Sequence, residues 1–235
     1  MIQLIVNADD FGFSKAVNYG IYEAHKNGIV NSTTLMMNTS GTSHAIKMAK
    51  ETPSLKVGIH LVLTYGKPLS ENVPSLVDKD NHFKKQLEVL TNIDSIDLYE
   101  LELEWTNQIK AFLATGLKPT HFDSHHHLHG IKAFYPVVKR LSEKFQLPIR
   151  KISGDLEGIS TFSDVFLMDF YGESATIDFF NQISDIVKDG QVVEVMCHPG
   201  YIDHELSRGS SYNAARLNEL SILTSVQLPV NIQLL

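Results

Sequence analysis

Short apolar runs alternate along this chain with stretches whose apolar residues recur every three or four positions. Residues 2–7 carry Ile2, Leu4, Ile5 and Val6 in a run of buried-strand length that meets Asp9 and Asp10 at once. Ser14 is placed to cap a helix over 15–27, which stops at Gly28. A β-like segment at 33–37, a short helix over 42–51 halted before Pro53, and a strand rich in Val, Ile and Leu over 56–64 follow. Helical spacing then predicts 97–115, ending at Gly116. Strand-like segments recur at 120–123, 148–152 and 191–197, with helices over 132–145, 174–188 and 213–225. Strand–helix alternation of this kind predicts parallel strands joined by crossovers. Six or seven such units in one chain predict an α/β fold, a single-domain distorted β/α barrel, with an open doubly wound sheet as the alternative. Two stretches, 65–95 and 199–211, break the rhythm. The first, with Pro68 and Pro74, is expected to cover a cleft, because long loops inside compact domains usually serve function.

Composition narrows the possibilities. At 235 residues and 43% hydrophobic content, the chain can bury a substantial core as one domain over 1–235. A net charge of −7 argues against nucleic acid or an anionic membrane as partner. No apolar run approaches the roughly 20 residues of a membrane span, so a cytoplasmic protein is the default expectation. Cys197 is the only cysteine, which excludes an intrachain disulfide and disfavours thiolate coordination. Gly-x-Gly-x-x-Gly and P-loop signatures are absent, so a nucleotide-binding reading has nothing to rest on.

The chemistry is concentrated elsewhere. Residues 118–129 hold five of the eleven histidines: His121, His125, His126, His127 and His129. Asp9, Asp10, His60, this cluster and His198 each fall at the carboxyl end of a predicted strand. In parallel α/β folds that rim carries the active site, since the connecting loops converge there. Imidazole and carboxylate are the usual ligands of divalent metals. One or two of the clustered imidazoles suffice as ligands, leaving the others to orient them or to meet a substrate. Adjacent residues of a strand point to opposite faces, so Asp9 and Asp10 can share a site only if Phe11-Gly12 supplies a turn. Arg150 follows Pro148-Ile149, where it can pair with a rim carboxylate or form a surface salt bridge. His25, His44, His82 and His204 lack such context.

Four ordered motifs resemble one family. Asn7-Ala8-Asp9-Asp10-Phe11-Gly12, Gly58-Ile59-His60-Leu61, Thr120-His121-Phe122-Asp123-Ser124-His125-His126-His127 and Val195-Met196-Cys197-His198-Pro199 resemble the YdjC-like carbohydrate deacetylases. Within that family the bacterial chitooligosaccharide (diacetylchitobiose) deacetylases are most similar. The resemblance implies a barrel of about seven strands, a tendency to form homodimers, and a divalent metal held by Asp10, His60 and His125. It also implies Asp9 as general base and His198 as general acid. His121, Asp123, His127, His129 and Arg150 are then expected around the ligands or the substrate. Magnesium is the implied ion, although two imidazoles and one carboxylate suit Zn2+ or another transition metal better. The implied reaction releases acetate from an N-acetylated oligosaccharide. A phosphoesterase or amidohydrolase on a similar barrel is one rival, and a non-catalytic metal- or sugar-binding protein is another.

Overall fold

The computed structural model describes residues 1–152 and 158–235. In chain order the elements are β1 (Ile2–Phe11), α1 (Lys15–Lys26), β2 (Ser32–Leu35), α2 (Thr42–Glu51), β3 (Lys56–Leu61), α3 (Gln86–Thr91), α4 (Leu98–Ala114) and β4 (Phe122–Ser124). They continue with α5 (Tyr135–Phe145), β5 (Val165–Leu167), α6 (Asp178–Asn181), α7 (Ile183–Ile186), β6 (Val192–Cys197), α8 (His204–Gly209), α9 (Ala214–Ser225) and β7 (Ile232–Leu234). Ser14 caps α1 as expected, its side chain accepting from the Val17 amide. Asp97 does the same for α4.

Among the described residues, seven strands, all parallel, form one curled sheet in the order β4-β3-β2-β1-β6-β5, with β7 also on β1. Strand β1 is its hub, and nearly every residue in it is buried, because helices cover one face and the inner core fills the other. Bridges from Ile149 to Phe122 and to Thr161 extend the free edge of β4 toward β5, so the sheet curls back on itself as a half-barrel. Among the described residues, no helix is long and apolar enough to cross a membrane.

Several elements differ from the pattern-based expectation. The expected strand at 148–152 shrinks to the bridges of Ile149, although the Arg150 amide still donates to the Phe122 carbonyl. The expected helix over 174–188 breaks into α6 and α7. Thr176, Asp178, Asn181, Ser184 and Asp185 compete locally for backbone groups and weaken a continuous helix. The irregular stretches hold α3 and α8, and most of 65–95 is fastened to α4. The amides of Leu69 and Ser70 donate to Glu104, and that of Ser75 to Glu100.

Candidate active site

The carboxyl ends of β1, β3, β4 and β6 open into a cleft of about 530 Å3. Asp9, Asp10, His60, His125, His127 and His198 all line it, as do Tyr171, Tyr212 and Arg216. From the 65–95 stretch only Gln86 reaches this lining, the loop walls coming from residues 168–174 and 210–212.

The adjacent aspartates share the cleft because the strand is irregular there. Asp10 takes a left-handed φ of 68°, and the β1–β2 register shifts between Ala8 and Phe11. A left-handed residue reverses the usual alternation at some cost in strain, a feature that tends to occur at functional sites. The histidine cluster uses the same device. His126 and His127 sit at φ 57° and 56°, which turns the chain so that His125, His126 and His127 all face the cleft.

Asp10, His60 and His125 meet at one point. Asp10 Oδ1 lies 3.0 Å from His125 Nδ1 and 3.3 Å from His60 Nε2. The other nitrogen of His60 donates to Asp123 Oδ1 at 2.7 Å. Thr34 Oγ1 donates to the second Asp123 oxygen at 3.1 Å. This carboxylate holds the Nδ1 proton, so that in the neutral ring Nε2 carries the lone pair, the arrangement typical behind a ligating histidine. Nε2 is buried and lacks a hydrogen-bond partner. Burial pushes the His60 pKa down, but Asp123, Asp10 and Asp9 outweigh it and raise it to about 10. A cation at this point would displace that proton. One ligand atom from each of the three residues lies within 4.8 Å of the others, so the set fits a divalent ion. Asp9, His60 and Asp123 are equally close, but Arg150 already occupies their oxygens.

Arg150 pairs with more than a rim carboxylate. Its Nη2 and Nη1 bind the two oxygens of Asp9 at 2.6 and 2.7 Å. Nη1 also reaches Asp123 at 2.7 Å, and Nε reaches Glu194 at 2.7 Å. Burial alone would raise the Asp9 pKa, yet the guanidinium holds it below the usual carboxylate value. Glu194 goes the other way, pushed up by burial to about 7. His198, at the end of β6, has an unpartnered Nδ1, and burial with the Arg216 charge holds its pKa down to about 3. Its backbone amide donates to Glu219 of α9, which also accepts from the Tyr212 hydroxyl.

The remaining expected residues separate. His127 lines the cleft, and burial holds its pKa to about 4. His129 lies behind it, bonded to Ser124 Oγ at 2.7 Å. His121 is outside the cleft lining, stacked on Phe162 at 3.7 Å and bonded to Thr120. Sequence reasoning missed Arg216, Glu219 and Glu194. Nothing in helical periodicity marks the first two, whereas Glu194, a charge inside an apolar strand, was a readable signal.

The curled parallel sheet is shared with a solved carbohydrate esterase. A family 4 carbohydrate esterase from Streptomyces lividans, solved in complex with acetate, superposes with a TM-score of 0.53 at 13% identity, covering 99% of this chain and 91% of that one. The chain belongs to the YdjC-like protein family, whose model matches residues 3–233. A carbohydrate deacetylase of Geobacillus stearothermophilus is 48% identical over 95% of this chain and 90% of its own. One from Brevibacillus brevis is 46% identical over 97% and 93%. An Enterococcus faecalis structure, described as a candidate cellobiose-phosphate cleavage protein, superposes with a TM-score of 0.88 at 34% identity and 97% coverage of both chains.

Proposed function

We propose that the chain hydrolyses the N-acetyl groups of chitooligosaccharides with a divalent ion held by Asp10, His60 and His125. The chain is an enzyme, a carbohydrate deacetylase acting on N-acetyl amide bonds, as its family membership and its relatives indicate. The observation that carries the metal reading is the buried His60 Nε2, fixed by Asp123 from behind and lying 3.3 Å from Asp10 Oδ1 without a hydrogen bond.

Bound there, a divalent ion supplies Lewis acidity to the acetyl carbonyl and to a water. Asp9 receives the proton that the attacking water loses. Arg150 keeps Asp9 ionised and its plane fixed, so the base is ready at neutral pH. Both hydrogens of the water end on the sugar nitrogen when the acetamido group gives acetate and the sugar's ammonium. His198 is neutral in the free cleft, so it relays one of these protons to the leaving nitrogen. Tyr171 stacks on Tyr212 at 4.0 Å and is 45% exposed, an aromatic face available to a sugar ring at the cleft mouth.

Acetate release from diacetylchitobiose tests the reading directly. Exhaustive chelation is expected to abolish release, and adding back one divalent ion to restore it. His60→Ala is expected to lose both bound ion and activity. Release that survives chelation would remove the ion from the mechanism. Release from O-acetylated sugars alone would remove the N-acetyl substrate.

A further inference from the structure

Arg216 is buried on α9, yet it reaches across to β1 and lines the cleft. Its Nη2 donates to Asp10 Oδ2 at 2.6 Å, and its Nε to the Tyr212 carbonyl at 2.8 Å. Nη1 is buried without a partner. The side chain is closely confined, since a Cβ on Gly200 would stand 3.3 Å from Arg216 Cδ. The guanidinium carbon also lies 5.8 Å from the Tyr212 ring centre and 6.0 Å from that of Phe13. Asp10 therefore has one oxygen committed to Arg216 and only Oδ1 turned toward His60 and His125.

We propose that Arg216 is a positioning residue that limits Asp10 to one-oxygen ligation and weakens it as a donor, which keeps the bound ion electron-poor. This rests on the metal reading above. A fixed positive charge beside a ligand opposes a second cation on the same carboxylate, so the arrangement lowers affinity for the ion. Arg150 is shared by Asp9, Asp123 and Glu194, so Arg216 is the guanidinium that faces Asp10. With Oδ2 held, the ion keeps a position for water or the acetyl oxygen that a two-oxygen carboxylate would occupy. The consequence is a trade of binding strength for reactivity.

The test uses Co2+ added to chelated, substrate-free protein, with affinity measured by competition and coordination by visible absorption. Arg216→Met removes the charge and both donors. It is expected to bind Co2+ about tenfold or more tightly than wild type. Its absorption is expected to weaken as Asp10 adds an oxygen and raises the coordination number. With diacetylchitobiose, kcat is expected to fall while KM stays within about twofold. Arg216→Lys keeps the charge and is expected to retain wild-type affinity. Arg216→Gln provides a second neutral variant should Arg216→Met fail to fold. A merely structural arginine predicts the opposite sign, with weaker Co2+ binding in both neutral variants, and that result would overturn the proposal. Equal affinity and an unchanged spectrum would overturn it alone. Wild-type protein that binds no Co2+ would overturn the metal reading as well.

Discussion

A general acid with an ordinary imidazole pKa would give a rate that falls on the alkaline side, but His198 does not start with an ordinary pKa. Burial and the Arg216 charge hold it down to about 3, and Arg150 keeps Asp9 below its usual value. Above these values both groups are deprotonated, so neither adds a limb to kcat/KM near neutrality. With the ion saturating, kcat/KM is expected to be flat between about pH 5 and pH 8. If His198 had to enter protonated, kcat/KM would instead fall about tenfold per pH unit across that window. A profile of that slope would end the relay role. At this scale the sequence was informative where chemistry is unusual for its position. Asp9-Asp10 after an apolar run, His60 in a strand and the crowded histidines announced themselves. Which histidines face the cleft depended on the left-handed angles at His126 and His127, which no periodicity encodes. Arg216 was hidden because an arginine on an amphipathic helix normally means a solvated face.

Elements bring these residues together by close backbone contact. A Cβ on Gly20 of α1 would lie 2.4 Å from the Gly200 Cα, just after His198-Pro199. The obstructing atoms are backbone, so no side chain can yield. Gly20→Ala is expected to push α1 off that segment, costing about 1–3 kcal/mol as overpacking. It should lower turnover by shifting His198 while leaving bound ion unchanged. Chemical denaturation and metal analysis of the same preparation check both halves. Long amphipathic helices such as α1 and α4, and the strands β1, β3 and β6, were legible because their patterns run for several residues. Strands β5 and β7 are three residues each, too short to show a period. The bulge in β1 was legible only indirectly, from the requirement that two neighbouring acids face one site.

Across the whole molecule, Arg150 ties β1, β4 and β6 through Asp9, Asp123 and Glu194. Removing one partner from such a buried network leaves charges without compensation. Arg150→Met is expected to destabilise the fold by about 3–5 kcal/mol. The loss should be smaller at acidic pH, where the carboxylates can take up protons and become neutral. Urea unfolding at about pH 5 and pH 8 measures the difference, and an equal loss at both would mean that packing, not charge, carries the effect. Arg150 and Arg216 also come late in the chain. During synthesis on a ribosome, the carboxylates of Asp9, Asp10 and Asp123 emerge before the guanidinium that pairs with each of them. A nascent chain therefore carries these acids without their arginine partners until residues 150 and 216 have been added. The order of translation thus makes charge compensation in the cleft a property of the completed fold, not of the segments that supply the acids.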